Sequence, residues 1–122
     1  MEFKKKVTVH MADTDSTGSL YFTAMLRMAA ETFEKWLIAE GVELSGIALP
    51  IVHAEADYAQ AMHLWDHVEI TLRCSHIGTT SFTIEGDIGT CGKTRIVHVV
   101  TDDSGNKCSI PKLLKNVLNS KY

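Results

Sequence analysis

Hydrophobic and polar positions change period twice along the chain. Over residues 3–10, Val7 and Val9 alternate with polar neighbours, the two-residue period of a half-buried strand, and Met11 carries this into a loop. Over residues 21–40 the period lengthens. Phe22, Met25, Leu26, Ala29, Phe33, Trp36 and Leu37 recur every three to four positions, while Thr23, Arg27, Glu31, Glu34 and Lys35 fill the other side. This predicts an amphipathic helix of about five turns. Gly41 is its expected stop, and Glu31 with Lys35 is a favourable four-residue pair on the exposed face.

After a loop over residues 41–46 the strand period returns. Val52, Ala54, Ala56 and Tyr58 alternate with His53, Glu55 and Asp57; Val68, Ile70, Leu72 and Cys74 alternate with His67, Glu69, Thr71 and Arg73. Two further strands are expected over residues 79–88 and 93–101, separated by the hairpin turn Gly89-Thr90-Cys91-Gly92. Residues 102–106 make the next turn. A short helix after Pro111 with Leu113, Leu114, Val117 and Leu118 closes the chain. One long helix followed by an antiparallel meander is an α+β arrangement, in which the sheet curls around the helix and buries its apolar stripe. Such a sheet has free edges, which proteins cover or pair with another chain.

Composition narrows the classes of function. The 122 residues, 45% hydrophobic and 22% charged, are expected to form a single domain over residues 1–122. A net charge of −3 gives no general attraction to nucleic acid or to an anionic membrane, and Lys4-Lys5-Lys6 reads as a solvated strand edge. No apolar run approaches the roughly 20 residues needed to span a bilayer, and residues 1–4 lead into strand pattern, not a signal peptide's apolar core. A cytoplasmic location is expected. Cys74, Cys91 and Cys108 are odd in number and widely spaced, so they are read as reduced and structural, with no metal or organic cofactor implied.

The candidate chemistry lies in Ala12-Asp13-Thr14-Asp15-Ser16-Thr17-Gly18-Ser19-Leu20-Tyr21-Phe22, two carboxylates and a glycine turn just ahead of the helix. The first turn of a helix leaves N–H groups unpaired and directed outward, so a carbonyl oxygen bound there is polarised by hydrogen bonds and by the helix dipole. A carboxylate slightly upstream can approach the same carbonyl as nucleophile or as base for a water. Spacing alone favours a plainer role, since Asp, Ser, Thr and Gly before a helix are ordinary turn and cap residues.

The stretch from Asp13 to Phe22, followed by Leu26, Arg27 and Glu31, resembles the signature of the 4-hydroxybenzoyl-CoA thioesterase-like hotdog family, approximately Asp-x-Asp-x-x-Gly-x-x-Tyr-aromatic. A second stretch, Ala48-Leu49-Pro50-Ile51-Val52-His53-Ala54 through Tyr58 to Trp65-Asp66, is similar to the branch that cleaves 1,4-dihydroxy-2-naphthoyl-CoA, and Ile110-Pro111 with Leu114 suits the family's C-terminal end. The resemblance implies a hotdog fold, an antiparallel sheet wrapped around one long helix. It implies hydrolysis of an acyl-CoA thioester, with aryl-CoA as the substrate class, a part in quinone biosynthesis and no cofactor. It also implies a homodimer at least, with the acyl pocket at the subunit interface; dimers of dimers are common in the family.

By position in that motif, Asp15 is the expected catalytic carboxylate and Asp13 the lesser candidate. Carbonyl-polarising N–H groups are expected from Tyr21 and Phe22, and substrate-pocket positions at Gly18, Thr23 and His53. A carboxylate near pKa 4 is ionised at neutral pH but weakly basic, so direct attack and water positioning both remain open. Phe22 and Thr23 stand where relatives carry histidine and asparagine, and Ser19 departs from the family's aliphatic or histidine residue. Lys93, Arg95, Lys107 and Lys112 are available for CoA phosphates, with no assignment among them. His63 and His67, four apart in a loop and strand start, do not share a helix face for a metal; His10, His76 and His98 belong to no constellation. Three other functions compete: a broad acyl-CoA or acyl-carrier-protein thioesterase, a non-catalytic acyl-binding module, and a dehydratase, which needs a histidine the main motif lacks.

Overall fold

In the computed structural model, which describes residues 2–119, strand β1 (Glu2–Thr8) leads through a short 3₁₀ turn (Met11–Asp13) and a loop into helix α1 (Ala24–Ala39). There follow β2 (Ile47–Ala48), β3 (Ile51–Tyr58), β4 (His67–Ile77), β5 (Ser81–Ile88), β6 (Gly92–Val99), β7 (Thr101–Asp102) and helix α2 (Lys112–Asn119). Five strands form one antiparallel sheet in the order β1-β4-β5-β6-β3, leaving β1 and β3 as its edges, and β2 pairs with β7 in a separate two-stranded ribbon. The sheet wraps α1 as the hotdog arrangement requires.

The helix is anchored by large side chains. Trp36 is fully buried, with the Phe3 ring stacked 5.9 Å away and Phe33 edge-on at 6.1 Å. Ile70 and Leu72 on β4 and Phe82 on β5 complete the centre of the core. At the helix end the Gly41 N–H donates to the Ile38 carbonyl at 3.0 Å and the Val42 N–H to Leu37 at 2.9 Å, the paired bonds of a Schellman stop. In α2, Leu114, Val117 and Leu118 pack inward while Leu113 faces solvent.

Several boundaries differ from the periodic reading. α1 starts at Ala24, not Tyr21, because the Tyr21 carbonyl accepts the Ala24 N–H at 2.9 Å in a separate turn; Phe22 is thereby left outside the helix and exposed. Glu31 pairs with Arg27 at 2.7 Å, not with Lys35, because Arg27 is held one turn earlier by Asp13. β1 ends at Thr8, β5 begins at Ser81, and the ribbon of β2 and β7 is too short to show a period. The register of β3 shifts between Ile51 and His53; beyond it His53, Glu55 and Asp57 pair with Val97, Arg95 and Lys93 of β6, on the polar side that the alternation predicts.

Among the described residues no helix is long and apolar enough to cross a membrane, and no group of three or more His, Cys, Asp or Glu is placed to hold a metal. The three cysteines are free and half-buried.

Candidate active site

The loop between the 3₁₀ turn and α1 is closed on itself. The Asp15 N–H donates to the Ser19 carbonyl at 2.8 Å, the Gly18 N–H to Asp15 at 3.1 Å, and Thr14 bridges Leu20. Gly18 sits at φ +81, where a side chain would be strained although the space beside it is open, so glycine answers a backbone need and not a packing one. The loop is tied to the next segment by Leu20 N–H to the Met62 carbonyl at 2.7 Å and Leu64 N–H to Gly18 at 3.2 Å.

The two carboxylates occupy different environments. Asp13 is buried; one oxygen accepts the His10 N–H at 2.8 Å, the other the Arg27 guanidinium, and its carbonyl accepts the Tyr21 N–H at 2.7 Å. Both carboxylate oxygens are occupied, and the residue fastens the loop to α1. Asp15 lies at the surface. Its Oδ1 accepts the Thr17 hydroxyl at 2.6 Å, the Thr17 N–H at 2.8 Å and the Ser19 N–H at 3.2 Å. Oδ2 has no partner among the described residues. The Thr17 hydroxyl first, then the Thr17 and Ser19 N–H groups, hold the Asp15 carboxyl below the usual carboxylate range.

The Tyr21 N–H, expected to polarise a carbonyl, is already spent on Asp13, a bond invisible to spacing because it joins residues across the loop. The Phe22 N–H has no partner among the described residues, and the Phe22 carbonyl accepts the Tyr58 hydroxyl. Neither residue lies in the first helical turn, so the dipole of α1 acts from behind them. Thr23 stands at the helix N-cap without a capping side-chain bond. Beside Phe22 opens a cavity of about 270 Å³, walled by Ser19, Leu20, Met25, Tyr58, Gln60 and Met62. Gly18 adjoins this cavity through Ser19 but does not line it.

His53 is not brought to this loop. Its Nε2 lies 3.0 Å from Glu55, which also takes Arg95 at 3.3 Å, on the outer face of the sheet. His63 and Asp66 form a local turn, with the His63 N–H on the Asp66 carboxylate at 2.8 Å. Two functional-looking side chains were not singled out by spacing. Arg27 clamps Asp13 from fourteen residues away. His98, buried on β6, has its Nδ1 3.0 Å from the Leu49 carbonyl.

Comparison with known proteins places this geometry. Residues 9–118 match the model of the thioesterase-like superfamily. A 1,4-dihydroxy-2-naphthoyl-CoA hydrolase of Crocosphaera subtropica is 37% identical over 84 residues, covering 64% of this chain and 61% of that protein. The aligned part thus spans less than two thirds of that relative's length. One from Prochlorococcus marinus is 30% identical over an aligned length of 125 residues, covering 88% of this chain and 81% of the relative. The crystal structure of a 1,4-dihydroxy-2-naphthoyl-CoA thioesterase from Synechocystis superposes with a TM-score of 0.86 at 25% identity, covering 97% of this chain and 96% of that one. With nine tenths of its length matched, the chain belongs to the thioesterase-like superfamily.

Proposed function

We propose that the protein hydrolyses aryl-CoA thioesters, with 1,4-dihydroxy-2-naphthoyl-CoA as first substrate and 4-hydroxybenzoyl-CoA as a second member of the same class. One observation carries the reading: in a loop built to expose it, Asp15 offers an unbonded carboxylate oxygen, while Phe22 at the adjoining cavity offers an unbonded N–H. The names of the relatives supply the substrate.

In this reading the Phe22 N–H takes the thioester oxygen as it gains negative charge. Asp15 Oδ2 attacks the carbonyl carbon, the C–S bond breaks, CoA leaves as thiolate, and water then cleaves the acyl anhydride. Direct attack suits this carboxylate because three donors on Oδ1 hold it in one orientation while Oδ2 stays free. Asp13, with both oxygens engaged, serves as anchor.

The working unit is a homodimer. The two sheet edges differ: β1 carries Lys4, Lys5 and Lys6, whereas β3 exposes Ile51, Val52 and Tyr58 among His53, Glu55 and Asp57, with no strand on its outer side. Lysines guard an edge against pairing and an apolar edge invites it, so a second copy adds its own β3 there.

Steady-state hydrolysis of aryl, short aliphatic and long aliphatic acyl-CoAs, with sedimentation of the same samples, tests this. Aryl-CoA turnover by a dimer, lost in a folded Asp15→Asn variant, supports it. Equal activity across aliphatic thioesters would favour a broad thioesterase, and tight binding without turnover an acyl-binding module.

A further inference from the structure

A second cavity, of about 430 Å³, opens along the C-terminal half of α1 between Phe33, Leu37, Ile38, Leu49 and Ile51, with His98 in its wall. This volume lies in the range of small-molecule sites. His98 is only 6% exposed and is held by three neighbours. Phe82 stacks on it at 5.1 Å and 18°, Phe33 lies tilted against it at 5.1 Å and touches Phe82 as well, and the His98 Nδ1 contacts the Leu49 carbonyl. A carbonyl oxygen only accepts, so Nδ1 carries the proton and Nε2 is a lone-pair acceptor, without a partner among the described residues. Burial pushes the imidazole pKa down and keeps the ring neutral. Glu34 at the rim turns away anions. Apolar walls, an aromatic layer and one buried acceptor suit a neutral aromatic ring that carries a hydroxyl.

The groove cannot serve the thioester site of its own subunit. Residues 30–38 lie roughly 9–21 Å along the axis from the start of α1 at about 1.5 Å per residue, and a ring joined directly to the thioester carbonyl does not reach that far. Two β3 strands paired antiparallel change this. The Tyr58 end of one strand then runs beside the Ile51 end of the other, and the Tyr58 hydroxyl is bonded to the Phe22 carbonyl. The cavity at one subunit's Phe22 thereby meets the groove of its partner, where Ile51 and His98 are register neighbours.

We propose that this groove seats the aryl ring of the thioester held at the partner subunit's Asp15, and that His98 Nε2 accepts the ring hydroxyl, making His98 the residue that selects hydroxylated acyl groups. The inference rests on the thioesterase and homodimer readings above.

The test compares 4-hydroxybenzoyl-CoA with benzoyl-CoA, and 1,4-dihydroxy-2-naphthoyl-CoA with 2-naphthoyl-CoA, in wild type, His98→Phe and His98→Met. Wild type favours the hydroxylated member of each pair by about tenfold or more, since a buried acceptor left unpaired penalises the other. Both variants lose that ratio within each pair, whatever their absolute rates; His98→Gln, which retains an acceptor, recovers part of it. A heterodimer of one Asp15→Asn and one His98→Phe subunit settles whose histidine is used. Its one active carboxylate sits on the His98→Phe chain, so wild-type selectivity there supports a groove lent by the partner, and lost selectivity overturns it. A variant with intact selectivity overturns the role of His98 and leaves the thioesterase reading standing. Should wild type cleave no thioester, calorimetry with the neutral pair 4-hydroxybenzamide and benzamide decides: a hydroxyl preference abolished in His98→Phe keeps the ring site while the catalytic reading falls, and no preference removes both.

Discussion

Asp13 and Asp15 stand two residues apart in one loop and share a side chain, yet the fold treats them oppositely. At the root of the loop Asp13 is buried with both oxygens engaged, bonded to the His10 N–H and to Arg27. At the tip Asp15 is exposed, with one oxygen held by three donors and the other open. A buried carboxylate with a donor on each oxygen is a fastening; an oriented one with a spare oxygen is a reagent. The Asp-x-Asp pattern is therefore a division of labour, in which the first acid fixes the backbone that aims the second.

The largest expected effect is at the tip. Asp15→Asn should lower kcat/KM on aryl-CoA by about 10³-fold, the scale of losing a nucleophile or its equivalent. Its melting temperature should stay within about 2 °C of wild type, because the amide oxygen still accepts from Thr17 and Ser19. Wild-type activity in this variant would assign the chemistry elsewhere.

At the root the balance reverses. Asp13→Ala leaves the His10 N–H unpaired and Arg27 with Glu31 as its remaining partner. An unsatisfied buried donor costs about 1–3 kcal/mol, here nearer the lower end because the Arg27 side chain is 46% exposed and reaches water. A fall of about 5 °C in melting temperature, with activity reduced by about tenfold, is the expected pair of readings. A catalytic loss as deep as that of Asp15→Asn, without thermal destabilisation, would show that the two roles had been exchanged.

Between root and tip, Gly18→Ala tests the turn itself. At φ +81 with open space beside it, alanine adds backbone strain of about 1 kcal/mol and no clash. Gly18→Asn should cost less, because asparagine tolerates the left-handed region. Equal stability of both variants with wild type, by thermal unfolding, would mean the loop relaxes freely and does not hold Asp15 in place.

Much of this was legible in the residues, for physical reasons that also mark where legibility stops. The helix stripe and strand alternation showed because each buried face repeats at its own period, and Gly41 showed because a helix stop is local chemistry. The loop was recognisable as a motif, but its division of labour was not, since the Asp13–Arg27 clamp joins residues fourteen apart that no period links. The same blindness hid the Tyr21 N–H on Asp13 and placed the helix start three residues early. His53 is a candidate for the neighbouring subunit's pocket on motif position; what spacing could not show is its pairing with Glu55 within its own chain. His98 left one faint signal. It occupies an inward position of β6 in step with Thr94 and Ile96, where a polar ring calls for a partner.

The smallest effect sharpens the contrast most, because it alters only the bonds on Asp15 Oδ1. The Thr17 hydroxyl is the first cause holding the Asp15 carboxyl below its ordinary range, ahead of the Thr17 and Ser19 N–H groups. A donor to the charged form favours that form, so its removal in Thr17→Val must raise the pKa toward the ordinary value. Ionised Asp15 is the attacking species, and the acid limb of the kcat/KM profile should therefore move to higher pH in Thr17→Val and stay in place in Thr17→Ser. At neutral pH the carboxylate is ionised in both, so rates there should change by only about twofold. The stability contributed by the depressed carboxyl is present above its unfolded pKa and lost as pH falls through the folded one, so Thr17→Val should also narrow the acid-stability margin relative to Thr17→Ser. An acid limb that ignores Thr17 would mean that the limb reports another group, and the proposal that Asp15 attacks would lose its pH signature.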